Sequence, residues 1–334
     1  MYNSKIVGVG HYVPDNVVTN KDLEEIMDTS DEWIVERTGI RERRFIEKGS
    51  GDAPSTMGTK AARIALEQAG LTPDDVDFII FATLSPDYYF PGPGVMVQEQ
   101  LGIKAIGALD VRNQCSGFIY AVSVADQFIK TGMYKNVLVI GAEWHSGGLD
   151  LTTRGRNVSV IFGDGAGAVV MQATEEPNKG ILSTHLYSEG KYAEELALIG
   201  PNTGNWVPEI MAAEEEDLSF YPYMNGNFVF KNAVVRFQEV IHEALQTNGK
   251  KTEDIDMLIP HQANLRISQY IQKKLGLPDD KVYNNIMRYG NTTAASIPIA
   301  MSEALAEGKI KSGDTVCLAA FGSGFTWASA LIHW

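Results

Sequence analysis

The chain has 334 residues, 44% of them hydrophobic, which is enough for a large core, and a formal net charge of −14. That charge argues against nucleic acid or anionic lipid as a bulk partner, and no apolar run has the length of a signal peptide or a bilayer span. Two cysteines, Cys115 and Cys317, cannot build a disulfide framework, and no CxxC or Cys/His cluster suggests a metal, so reduced thiols in the cytoplasm are expected.

Residues 5–9 read as a short strand beside Gly8 and Gly10. Thr19 and Asn20 cap a helix at 21–27, and Thr29 with Glu32 has capping-box spacing ahead of Trp33. Residues 53–69 form a helix of small side chains closed by Gly70, and 78–83 an apolar strand. A Pro/Gly break at 90–94 precedes a helix ending at Leu101. Residues 106–111 are a strand, followed by the polar turn Arg112-Asn113-Gln114 and a helix of small and apolar residues. Cys115 stands at the turn-to-helix junction, where free N–H groups and the helix dipole favour thiolate. Gly117 keeps the first helical turn open to a group approaching the sulfur, although a buried small hydrophobe is the plainer reading of a lone cysteine. Residues 137–142 are a further buried strand. Residues 158–162 and 166–172 read as strands around Gly163-Asp164-Gly165, a tight turn that lacks the GxGxxG phosphate spacing. Strands alternating with helices indicate an α/β protein with buried sheets.

The second part of the chain repeats the first. AARIALEQAGLTPDDVDFIIFA resembles VIHEALQTNGKKTEDIDMLIPH, and GMYKNVLVIGA resembles KIKSGDTVCLAAFG. Asp77 pairs with Asp256 and Val137 with Val316, both at an offset of 179. Two similarly folded halves are expected, 1–174 and 175–334, divided where charge, Pro and Gly cluster at 174–180. The same offset maps His261 to position 82, at the end of the 78–83 strand, and Asn291 to position 112, in the turn before Cys115. Sites in α/β sheets form at the carboxyl ends of strands, so Cys115, His261 and Asn291 are expected to converge.

A thiol with two hydrogen-bond donors and no obvious carboxylate base suits a cysteine that takes an acyl group while His and Asn stabilise negative charge on a carbonyl. The signature of papain-like Cys-His-Asn proteases is absent. Trp33 with Arg37, Arg41, Arg43 and Arg44 is either ordinary surface or an aromatic face with cations for a nucleotide-like group. Arg266, Lys273 and Lys274 share one face of a helix and can meet an acidic partner. The acidic run at 212–217 reads as a solvated loop, and Cys317 as structural.

Six ordered segments, DEWIVERTGIRERR (31–44), QCSGF (114–118), FGDGAGA (162–168), PHQANLRI (260–267), GNTTAAS (290–296) and FGSGFTW (321–327), resemble β-ketoacyl-acyl-carrier-protein synthase III of the thiolase superfamily. The resemblance implies a layered αβαβα fold, a homodimer and a Cys115–His261–Asn291 triad. It also implies acylation of Cys115 by an acyl-CoA, then decarboxylative condensation with malonyl-acyl-carrier protein, initiating fatty-acid synthesis with no tightly bound cofactor. By motif, the N–H groups of Cys115 and Ser323 form an oxyanion hole, and Trp33 and Arg156 sandwich the CoA adenine. Arg37 and Asn264 then line the channel, Phe90 borders a partner subunit's acyl pocket, and Arg266 docks the carrier protein. Departures from the family pattern are Arg112-Asn113-Gln114, Asn225, Ser323 and the acidic loop near 208–217. They bear on primer identity more than on reaction type. A paralogue of secondary metabolism with another primer, or a catalytically silent partner subunit, are the alternatives.

Overall fold

The computed structural model describes residues 2–334 other than Pro201, Asn205, Glu215 and Glu216. A five-stranded sheet runs Asn3–Tyr12, Gly165–Thr174, Asn136–Glu143, Phe78–Ala82, Gly107–Val111 in spatial order, its last three strands parallel. A four-stranded sheet runs Met257–Pro260, Thr315–Gly322, Thr326–His333, Gly180–Ser188. In the first sheet Phe78 pairs with Val137, and in the second Met257 pairs with Val316, each residue displaced by 179. Among the described residues the edge strand Gly107–Val111 has no full counterpart; a single bridge between Leu258 and Val282 stands in its place.

Side-chain alternation builds the layers. On Asn136–Glu143, Val137 and Val139 join a central apolar cluster, while Leu138, Ile140 and Ala142 join an outer one. The central cluster takes residues from both sheets and from two helices between them, Gly117–Lys130 and Ser296–Ala306. Helix Pro54–Ala69 covers the outside of the first sheet, and Gly226–Thr247 that of the second. The result is five layers, α, β, α, β, α. Both central helices are preceded by a 3-10 turn, Gln114–Ser116 and Thr293–Ala295, again displaced by 179.

Local outcomes differ from the sequence reading in places. Residues 158–162 are not a strand: a short helix, Arg156–Ser159, leads to one bridge between Phe162 and Asn291. The apolar run is buried by packing rather than by sheet pairing. Helix Asp31–Thr38 is capped by Ser30, whose Oγ accepts from the Trp33 N–H, while the Thr29 hydroxyl is buried without a partner among the described residues. The first helix spans Asn20–Glu24, with Thr19 and Asp22 forming its capping box. In the acidic run Ala213, Glu214 and Asp217 are exposed; Glu215 and Glu216 lie outside the described residues. No helix among the described residues is long and apolar enough to cross a membrane.

Candidate active site

A cavity of about 580 Å³ opens between the halves and brings Cys115, His261 and Asn291 onto one lining, together with Trp33, Arg37 and Asn264. Cys115 and His261 arrive just beyond the carboxyl ends of strands, whereas Asn291 follows the short helix Ile286–Tyr289 and is held by an isolated bridge to Phe162. Cys115 lies in the turn after Gly107–Val111, entering the central helix. His261 follows Met257–Pro260, and its N–H donates to the Ala319 carbonyl at 2.8 Å. Asn291 is tied by backbone bonds to Ile161 and Gly163 at 2.8 and 3.1 Å.

The turn before each central helix holds a non-glycine residue at positive φ, Gln114 at 44° and Thr293 at 48°. Such residues cost on the order of 1–3 kcal/mol each and persist where the surroundings over-determine them. Thr293 shows what holds it. Its N–H donates to Asn291 Oδ1 at 2.8 Å, and its hydroxyl lies 2.7 Å from His145 Nε2. Gly322 abuts Cys115 so closely that a Cβ there would lie 2.8 Å from the sulfur.

Burial, with the Glu143 charge adding to it, pushes the Cys115 thiol up to about 12. The N–H groups of Ser323 and of Cys115 itself, and the Thr293 hydroxyl, oppose that rise by hydrogen bonding to the sulfur. Burial thus works against the thiolate that the helix end favours, while the hydrogen bonds work with it. Glu143 is buried behind the site. It accepts from Ser85 Oγ at 2.6 Å, from the Thr83 hydroxyl and Leu84 N–H at 3.1 Å, and from the Ala294 N–H. Desolvation still lifts its carboxyl to about 7. His261 is held neutral by burial, its pKa pushed down to about 3. Its Nδ1 lies 2.7 Å from the Ser296 hydroxyl, and its buried Nε2 has no partner among the described residues.

The remaining predicted residues fall into two groups. Arg37 and Arg156 lie over the Trp33 ring, 4.4 and 5.3 Å from its centroid. Arg156 also binds the Asp28 carbonyl and carboxylate and stays outside the cavity lining. Asn264 caps helix Leu265–Leu275 through the Arg266 N–H and donates to the Arg37 carbonyl at 2.9 Å. Arg266, Lys273 and Lys274 are exposed on that helix, Arg266 at the cavity and the lysines at its last turn. Phe90 is 75% exposed and lies outside its own chain's cavity. The Ser323 hydroxyl donates to the Leu196 carbonyl, and Asn225 caps helix Gly226–Thr247 while donating to Glu195 at 2.9 Å. Both departures thus have local structural roles; Arg112 is exposed and nothing in the structure explains it. Sequence reasoning passed over Glu143, His145, Thr293 and Ser296. The last two lay inside the GNTTAAS segment, where a hydroxyl after the Asn was the available signal.

Paired sheets around two central helices, with a cavity at the strand ends, define a thiolase-type fold. The family profile of 3-oxoacyl-(acyl-carrier-protein) synthase III matches residues 109–190, and the profile of its C-terminal part matches 245–334. β-Ketoacyl-(acyl-carrier-protein) synthase III 1 of Vibrio vulnificus (strain YJ016) is 46% identical over 99% of both chains. The corresponding synthase III of Yersinia pseudotuberculosis serotype I (strain IP32953) is 48% identical over the same share. The crystal structure of 3-oxoacyl-(acyl-carrier-protein) synthase III from Aquifex aeolicus VF5 superposes with a TM-score of 0.90 at 46% identity, covering 99% of this chain and 100% of that one. The chain belongs to the β-ketoacyl-acyl-carrier-protein synthase III family, acyl-transferring condensing enzymes that initiate fatty-acid synthesis.

Proposed function

We propose that Cys115 takes the acyl group of an acyl-CoA and that His261 and Asn291 then hydrogen-bond the thioester carbonyl of malonyl-acyl-carrier protein. The observation that carries this reading is one cavity holding a thiol and two donors whose other faces are already engaged. Asn291 Oδ1 is taken by the Thr293 N–H, which leaves its Nδ2 to donate. The Ser296 hydroxyl accepts from the Gln262 N–H at 3.3 Å, and when it donates its own proton to His261 Nδ1 the imidazole proton sits on Nε2. Two neutral donors then face an oxygen that becomes an enolate when carbon dioxide leaves; each is worth ~3 kcal/mol of barrier. The carbanion attacks the acyl-cysteine, and β-ketoacyl-carrier protein departs. In the first step the N–H groups of Cys115 and Ser323 serve the tetrahedral oxyanion.

Trp33 offers its ring to the CoA adenine, with Arg156 withdrawing to the far side and Arg37 and Asn264 along the channel. An arginine 5.3 Å from the ring leaves no room for an intervening base, so CoA entry breaks the Arg156–Asp28 contacts. Arg266, Lys273 and Lys274 present positive charge to an acidic carrier protein beside the mouth. The exposed edge strand Gly107–Val111 supports a homodimer, with Phe90 reaching the partner's acyl pocket. Residues 1–174 and 175–334 are read as its two thiolase halves, and the reduced thiols fit a cytoplasmic enzyme. The priming β-ketosynthase of the R1128 polyketide pathway is 32% identical with a TM-score of 0.89, which keeps a specialised primer as the second reading.

Intact-mass measurement with a panel of acyl-CoAs tests the proposal. One acyl mass adds to the wild type and none to Cys115→Ala, while His261→Ala and Asn291→Ala still acylate but fail to condense. A wild type left unmodified by every acyl-CoA would sink it, and the malonyl-dependent product separates the two readings.

A further inference from the structure

The central helix Ser296–Ala306 supports both proposed donors. At its first residue the Ser296 hydroxyl lies 2.7 Å from His261 Nδ1. Two turns further along the same face stands Glu303, whose side chain is only 11% exposed. Its carboxylate accepts from three side chains of the segment that delivers Asn291. These are Asn285 Nδ2 at 2.8 Å, Arg288 Nη2 at 2.8 Å and the Tyr289 hydroxyl at 2.6 Å. Arg288 and Tyr289 belong to the short helix Ile286–Tyr289, and Asn285 is its N-cap. Burial, and then the Glu303 carboxylate, push the Tyr289 phenol up to about 12, so it stays a donor.

That short helix needs holding. Between it and Asn291 lies Gly290 alone, at a φ of 64°. A glycine imposes little direction of its own, and a Cβ at this position would stand 2.7 Å from the Ile161 carbonyl oxygen. The Asn291 backbone is tied on one side to Ile161 and Gly163. On the other side its direction follows from where the helix lies. Gln262 pins the start of the helix: its Oε1 accepts from the Asn285 and Ile286 N–H groups at 3.0 and 3.2 Å. Glu303 pins the end. A carboxylate suits three converging donors, because Oε2 takes Asn285 and Arg288 while Oε1 takes Tyr289. The Arg288 guanidinium also offsets the desolvation of the charge.

We propose that Glu303 is a positioning residue for the condensation step. Through Asn285, Arg288 and Tyr289 it fixes the arm that ends in Asn291. One helix, by Ser296 at its start and Glu303 two turns on, thereby sets the spacing between the His261 and Asn291 donors. Glu303 lies outside the cavity lining and acts only through that arm. This rests on Asn291 being a donor to the malonyl thioester. None of the three bonds involves Cys115, so acylation does not depend on them.

The test measures two steps in the full chain: acylation by acetyl-CoA, read by intact mass, and condensation with malonyl-acyl-carrier protein. Glu303→Leu is expected to lower kcat for condensation by about 10- to 100-fold, the effect of a misplaced donor, with KM for malonyl-acyl-carrier protein and the acylation rate within about twofold of wild type. Glu303→Gln keeps an acceptor oxygen and gains an N–H that the Tyr289 hydroxyl can accept, and is expected to recover most of the loss. Tyr283→Phe is the control. Its hydroxyl donates to Glu307 of the same helix at 2.8 Å, but it precedes the point that Gln262 pins. That variant is expected to melt earlier and to condense normally. Wild-type condensation by Glu303→Leu, an equal fall in acylation, no recovery in Glu303→Gln, or a Tyr283→Phe slowed as much would each overturn the proposal. If Glu303→Leu does not fold, Tyr289→Phe decides: condensation slowed severalfold with acylation intact supports the proposal, and an unchanged rate overturns it. An Asn291→Ala that condenses normally would indict the donor itself. An Asn291→Ala that fails beside a Glu303→Leu that condenses normally would indict Glu303 alone.

Discussion

His261 depends on a hydroxyl as a general base would depend on a carboxylate. Ser296 lies 2.7 Å from Nδ1, and under the proposed mechanism it orients the ring while adding no negative charge next to an oxygen that must itself become negative. Removing that anchor separates the two chemical steps. Ser296→Ala is expected to lower the rate of condensation by about 10- to 100-fold, the loss of a bond that orients a reacting donor, while acylation of Cys115 holds. The check is condensation with malonyl-carrier protein against acyl mass on the enzyme; an equal fall in both steps would refute the separation. The expectation that Cys115, His261 and Asn291 meet comes from the internal repeat, which sets Asn291 in the counterpart of the Cys115 turn and His261 at the counterpart of the 78–83 strand end, and one cavity lining holds all three. Ser296, Thr293, His145 and Glu143 are not legible in the sequence, since a serine or a buried carboxylate has no periodic signature. Their meaning lies in which atom faces which, and that appears only once the halves are folded together.

At the scale of elements, the hairpin after Thr315–Gly322 acts as the wall of the nucleophile's seat. A methyl group on Gly322 would stand 2.5 Å from Cys115 Cβ and 2.8 Å from its sulfur, inside any tolerated contact. Gly322→Ala is thus expected to displace the sulfur from the Ser323 N–H and reduce acyl transfer by about 100-fold or more, the scale of a lost oxyanion donor. Thermal melting and single-turnover acylation measured together check this; an enzyme that acylates normally would show that the hairpin yields. Most strands were readable from continuous apolar runs. Residues 158–162 were misread for the same reason: an apolar run states that a segment is buried, and not whether sheet or helix buries it.

For the molecule as a whole, the buried ionisable groups set its tolerance of acid. His145 and His261 titrate near 3 when folded against 6.5 in the open chain, so between those values the unfolded state binds protons the native state refuses. Stability contributed by the two histidines is complete above about 6.5 and lost as pH falls. Glu143 opposes them. Held near 7 when folded against 4.5 unfolded, it keeps a native proton across that interval, which favours the folded state as pH falls from 7 towards 4.5. Burial also lowers His11 and raises Asp110 and Asp164; because the ordinary histidine value of 6.5 lies inside the pH 7 to 5 window and the ordinary aspartate value of 3.8 below it, the melting temperature is expected to drop there. Glu143→Gln removes the opposing group and is expected to steepen that drop, whatever its effect on the absolute melting temperature. Calorimetry across the range decides it, and a shallower slope in Glu143→Gln would show the sign is wrong.

The residue displaced by 179 from Cys115 is Ala294, in a turn with the same strained entry and the same helix behind it. The chain thus carries the seat of a nucleophile twice and fills it once. The second copy is free to specialise: its turn sets Asn291 on the cavity lining and holds that side chain through the Thr293 N–H. Duplication here yields division of labour in place of redundancy: under the proposed mechanism one half supplies the thiol that takes the acyl group, and the other supplies the donors that hold the enolate.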